Sequence, residues 1–93
     1  MPGRTMPPTD QTPVEELFNL SNLTGGWLRE LEITNYGELC GADLHAVWFE
    51  LKTRQNQVSK LMFYALWGAV NNVHWKQTPP EVIQNFDNWR KTL

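Results

Sequence analysis

Apolar residues recur along this chain at the three- and four-residue intervals of an α-helix, and no stretch sustains the alternation of a strand. The clearest stripe lies in "DLHAVWFELK", where Leu44, Val47, Trp48 and Leu51 fall at i, i+3, i+4 and i+7 on one face. Glu50 and Arg54 are placed to pair across the opposite, solvent side. "KLMFYALWGAVNNV" is apolar nearly all round, with Leu61, Ala65 and Ala69 in one row and Met62, Leu66, Val70 and Val73 in another. A helix without a polar face needs neighbours on every side, so this one is expected to be central. Gly68 in its middle costs about 1 kcal/mol relative to alanine, which predicts that another helix approaches closely there. A last helix after Thr78 buries Val82, Phe86 and Trp89 and carries Arg90 and Lys91 at its negative end.

The N-terminal half reads as shorter pieces. Thr12 can cap, Pro13 suits a first helical position and Glu15 can complete a capping box, opening a helix that carries Leu17, Phe18 and Leu20. "TPPE" at Thr78 to Glu81 repeats this punctuation. A second helix from about Thr24 carries Trp27, Leu28 and Leu31. Ile33 precedes Thr34, which can cap a third short helix running through Leu39 to Gly41. "TRQNQ" is a polar connector, after which Ser59 caps the central helix. Residues 1–11, with three prolines and a glycine, form an expected disordered lead. Residues 12–93 are then one all-α domain, a compact bundle of five to six short helices.

Composition sharpens this reading. A chain of 93 residues supports one core, and 41% hydrophobic residues with five tryptophans let a few large side chains supply much of the burial. Such a chain folds without a cofactor. Its formal net charge of -2 gives no whole-chain attraction for nucleic acid, which normally meets several Lys or Arg. Cys40 is the single cysteine, so no internal disulfide forms, and neither a membrane span nor a hydrophobic leader is apparent; a soluble cytoplasmic protein is expected.

Catalytic and metal chemistry find little to work with. His45, His74 and Cys40 are the whole inventory of imidazoles and thiols, and their spacing matches no zinc pattern. His45 adjoins a buried stripe and reads as a packing residue; His74, beside Trp75, reads as a cap for carbonyls ending the central helix. Cys40 at a helix end reads as a buried, inert thiol. Glu15, Glu16, Glu30 and Glu32 read as solvated charge. Trp27, Trp48 and Trp89 are in phase with apolar stripes and belong to the core, whereas Trp67 or Trp75 is available for an exposed contact patch.

"NLSNLTGGWLREL" raises a separate possibility. A phosphate-gripping hairpin needs glycine, hydrophobe, glycine, so that bare amides approach the phosphate. Here Leu23 is flanked by Asn22 and Thr24, and Gly25 and Gly26 come one step later, inside the next helix. Its amides and Arg29 can attract an anion, but a corner where two helices pack is the favoured reading.

From "LSNLTGGWLRELEITNYGEL" through "GADLHAVWFELK" to "LMFYALWGAVNNVHWKQTPPEV", the chain resembles the C-terminal domain of the TfoX family, regulators of natural competence. The more specific parts are Asn22-Leu23 followed by Trp27-Leu28, Ile33-Thr34 leading to Leu39, Gly41-Ala42, "YALWGAV", and His74-Trp75 before the proline-started helix. The resemblance implies a helix-hairpin-helix (SAM-like) all-α fold and a bacterial role in gene regulation, and it supplies no catalytic residues. The family commonly has glycine where Thr24 and Glu32 stand, and a preceding domain where this chain has a Pro-rich lead. The expectation is thus a stand-alone, non-enzymatic domain that contacts a protein, either the transcription machinery or a DNA-bound activator. Its expected contact surface is Thr24, Gly25, Gly26 and Arg29, or the turn at His74 and Lys76. Direct DNA binding through the hairpin is the alternative and a cryptic enzyme the third reading; no cofactor, metal or membrane is implied, and the oligomeric state stays open.

Overall fold

Five α-helices and two 3-10 turns follow one another in the computed structural model, which describes residues 7–93. A 3-10 turn at Val14–Glu16 precedes α1 (Asn22–Glu30), α2 (Tyr36–Cys40), α3 (Leu44–Arg54) and α4 (Lys60–Asn71); a second turn, Trp75–Gln77, leads into α5 (Pro80–Arg90). No strand occurs among the described residues, only one antiparallel bridge between Pro13 and Asn35.

The apolar all-round sequence of α4 does place it at the centre. Met62, Phe63, Tyr64, Ala65, Leu66, Gly68 and Ala69 are all buried. The Phe63 and Phe86 rings stack with centroids 4.0 Å apart and planes 11° from parallel, and Trp48 meets Phe86 edge-on at 5.1 Å. These geometries suit ring quadrupoles as well as burial. His45 packs as expected, its ring 4.9 Å from Phe63 and 4.8 Å from Trp89. The stripe of α3 buries Val47, Trp48 and Leu51, and the Glu50–Arg54 pair forms at 3.5 Å. Trp27 and Trp89 are only partly buried against the core that encloses Trp48.

The N-terminal segment departs from expectation. Only Val14–Glu16 is helical, and no side chain caps it. The Thr12 hydroxyl instead accepts from the Thr9 amide, while Glu15 pairs with Arg29. Main-chain bonds to a distant segment replace the helix: Val14 N–H donates to Thr34 O, and Tyr36 N–H to Thr12 O. Val14, Leu17 and Leu20 still reach the core, spaced three residues apart. Gly37 N–H donates to Asp10 O, so the tied part of the chain begins before residue 12; residues 1–6 of the expected lead lie outside the described residues.

Several end signals are also reassigned. Ser21 caps α1 reciprocally with Thr24, so that helix starts two residues early. Asn35 caps α2, and Glu38 reaches back to the Thr34 amide and hydroxyl. The Thr78 hydroxyl donates to Trp75 O at 2.6 Å, leaving α5 to start at Pro79-Pro80 without a side-chain cap. The His74 ring accepts an amide, Lys76 N–H, and caps no carbonyl. Cys40 is exposed, because α2 turns Leu39 inward and Cys40 outward.

At Gly68 the neighbour is not a helix but a folded-back chain. A Cβ there would collide with the Asn19 side-chain amide and stand 2.6 Å from Val73 O. At Gly26 a Cβ would meet nothing within 4 Å. The two helical glycines should therefore respond oppositely. Gly68→Ala is expected to lose about 1–3 kcal/mol despite its gain in helix propensity, and Gly26→Ala to gain about 0.5–1 kcal/mol. Thermal denaturation checks both, at roughly 4–8 °C per kcal/mol for a domain of this size. Shifts of the same sign would refute the assignment.

Candidate contact groove

Connector Gln55 to Ser59, the start of α4, α1 and the 75–77 turn enclose a groove of about 280 Å³. Its walls are largely apolar: Trp27, Val58, Leu61, Met62 and Trp75 line it, together with the polar Asn19. Leu61 is 47% exposed, although the helical row it shares with Ala65 and Ala69 predicts burial. Leu61 lies in the first turn of α4 and lines the groove instead.

Each wall is fixed by bonding elsewhere. Trp75 N–H donates to the Asn19 side-chain oxygen at 3.1 Å, and its carbonyl receives the Thr78 hydroxyl, so the backbone carrying this indole is held at both ends. The Lys76 ammonium lies 5.8 Å from the Trp75 ring centre, and the His74 ring lies 5.5 Å from it. Trp27 follows the reciprocal Ser21–Thr24 cap by one helical turn.

The two stretches expected to make contacts therefore meet, through Trp75, which the sequence left free for a contact patch, and through Trp27, which it placed in the core. Thr24 N–H is taken by the Ser21 hydroxyl and Gly25 N–H by Ser21 O at 2.7 Å. Gly25 is roofed by Glu15, whose Cα would stand 3.2 Å from a Cβ at this position. Gly26 faces open space. Arg29 is committed to Glu15 through both Nε and Nη2, the second bond being 2.9 Å. Amides already bonded and a guanidinium already neutralised leave little with which this hairpin would grip a phosphate. Leu61, Met62 and Val58 were not legible as wall residues. A half-exposed leucine in an otherwise enclosed row becomes visible only when the helix end is placed.

The sequence matches the TfoX C-terminal domain family over residues 10–89. The chain belongs to that family. It is a non-catalytic, regulatory-type domain family. Comparison with curated proteins gave no match. A crystal structure of an uncharacterized protein from Listeria monocytogenes has the same fold as this TfoX C-terminal domain. It superposes with a TM-score of 0.78 over 87% of this chain and 92% of that one, at 18% identity. Among the described residues, no three His, Cys, Asp or Glu side chains gather to hold a metal ion, and no helix is long and apolar enough to cross a membrane.

Electrostatics tie the wall bearing Trp27 to the N-terminal segment. The Arg29 guanidinium holds the Glu15 carboxyl below its ordinary range, and the Thr34 amide and hydroxyl do the same for Glu38. A carboxylate whose pKa is lower folded than unfolded contributes stability above its unfolded value, about 4.3, and loses it as pH falls through the folded value. Glu15→Gln keeps the shape over Gly25 but removes this dependence. The urea midpoint of the variant should fall less steeply than that of the parent as pH drops from about 5 to about 3. Parallel curves would mean that the Glu15–Arg29 pair contributes nothing to folding.

Proposed function

We propose that this domain regulates transcription in the bacterial cytoplasm by binding another protein, either the transcription machinery or a DNA-bound activator. Membership of a non-catalytic, regulatory-type family supports a binding role over an enzymatic one. The observation that carries the reading is the groove between Trp27 and Trp75, with Leu61 half-exposed at its edge. Large rigid indoles beside an accessible aliphatic side chain suit an interface centre, where aromatic anchors supply much of the binding energy. Fixed walls add to this by reducing the conformational entropy lost on association.

A photo-crosslinking side chain placed at Leu61 tests the reading in living cells, with Phe49, 47% exposed on α3, as the control site. The expected outcome is a discrete adduct to one transcriptional protein from position 61 and none from position 49. Leu61→Glu, which puts an unpaired charge into the groove, should weaken capture of that protein at least tenfold while leaving the melting temperature within a few degrees. Adducts of equal pattern from both positions would overturn the proposal.

A further inference from the structure

On the other side of the connector the surface has a different character. A cleft of about 460 Å³ is lined by Lys52, Lys60 and Arg90, with Trp48, Asn56 and Gln57 among the remaining wall residues and no carboxylate. Acidic residues outnumber basic ones ten to eight in the whole chain, so a three-cation cleft without an acid is a marked segregation. The other arginines with described positions are neutralised: Arg29 pairs with Glu15, and Arg54 with Glu50 and Glu30. Lys52, Lys60 and Arg90 have no ion-pair partner among the described residues.

Lys52 and Arg90 are positioned by groups that carry no negative charge. The Lys52 ammonium donates to Val58 O at 2.8 Å and Asn56 O at 3.3 Å, which leaves one of its three N–H bonds for a ligand. The Arg90 guanidinium sits 5.7 Å from the ring centres of both Trp48 and Phe86, held by faces that carry no formal charge. Lys60 begins α4, the positive end of a helix, where a cation is disfavoured. An anion in the cleft would offset that cost.

We infer that this cleft receives the phosphodiester backbone of nucleic acid. Three uncompensated cations exceed what one carboxylate can neutralise, whereas successive phosphates present one negative charge after another. All three side chains are exposed, which suits a passing strand better than a small phosphate compound that must be mostly enclosed. The net negative charge of the chain does not prevent this. Screening over about 8 Å at physiological ionic strength isolates the cleft from acids on the far side of a body 36 Å long. This contact is separate from the hairpin at Thr24 to Arg29 and does not depend on the groove.

Fluorescence anisotropy with the full chain and a labelled duplex DNA of arbitrary sequence tests the assignment. With about three phosphate contacts, log affinity should fall against log salt with a slope near -2.7, which is about a 40-fold loss between 50 and 200 mM. Lys60→Glu should weaken binding at least tenfold and bring the slope about one unit closer to zero. Glutamate is well suited to a first helical turn, so the fold is retained, and circular dichroism checks that. Lys60→Arg should keep binding, and Arg29→Glu should leave it unchanged. No binding at 50 mM salt would overturn the inference, as would equal binding by Lys60→Glu or loss on Arg29→Glu instead. If inorganic phosphate binds calorimetrically in a Lys60-dependent way while duplex does not, the strand reading is also wrong. Crosslinking at Leu61 is read separately, so failure here and failure of the protein-contact proposal are distinguishable.

Discussion

A single carboxamide joins the two ends of this fold. Asn19 adopts a left-handed backbone conformation, φ 68°, and turns its side chain onto the end of α4. Its NH2 donates to Val73 O at 3.0 Å and Ala65 O at 3.4 Å, and its oxygen receives Trp75 N–H at 3.1 Å. Each bond spans at least 46 residues of sequence. Typical hydrogen bonds contribute about 0.5–1.5 kcal/mol, but leaving a desolvated carbonyl or amide unpaired costs more, so the three act as a unit. Gly68 makes the approach possible, since any side chain would occupy the space the carboxamide fills. This clamp links the N-terminal segment directly to the Trp75 turn, which carries one wall of the groove.

This dependence explains which parts of the fold could be read from sequence. The stripe of α3 and the enclosure of α4 follow helical periodicity and were legible, whereas in α5 only Phe86 is buried and Val82 and Trp89 are half-buried. The segment 14–20 was not legible. Leu17, Phe18 and Leu20 suit a short helix locally, but Val14, Leu17 and Leu20 are buried at intervals of three, and the main-chain bonds around Val14 go to residues 34–36. Tertiary pairing of this kind leaves no local pattern. The Thr-Pro punctuation did mark the start of α5 at Pro80, but the threonine caps failed for a related reason: both threonines are buried, and their hydroxyls find partners N-terminal to the proline instead of in the helix beyond it. Gly68 did announce a close approach, though its neighbour came from a loop.

The groove was only half visible. Trp75 stood out because no apolar stripe claimed it, and it forms a wall. Trp27 was assigned entirely to the core because it is in phase with Leu28 and Leu31, yet an indole is large enough to pack one edge against the core and present another to the groove. Arg29 is the converse case. A cation beside two glycines resembles an anion site in sequence, but Glu15 lies fourteen positions away and reaches it only after the N-terminal segment has docked. Charge in sequence is an inventory, whereas charge in space depends on which acids fold onto which bases.

The connector between α3 and α4 brings the groove and the basic cleft into one frame. Gln57, Val58 and Ser59 line both. A five-residue polar loop would ordinarily be mobile, but here Val58 is 3% exposed and the carbonyls at 58 and 59 accept from the Lys52 ammonium and the Trp48 indole at 2.8 and 3.0 Å. The loop is thus anchored by side chains of the preceding helix, one charged and one aromatic, at its buried residue and the next. Such a wall ties the apolar face and the cationic face to the same anchored connector, whose backbone these two bonds hold. The relative placement of the indole-lined groove and the lysine-lined cleft is therefore set by the folded core.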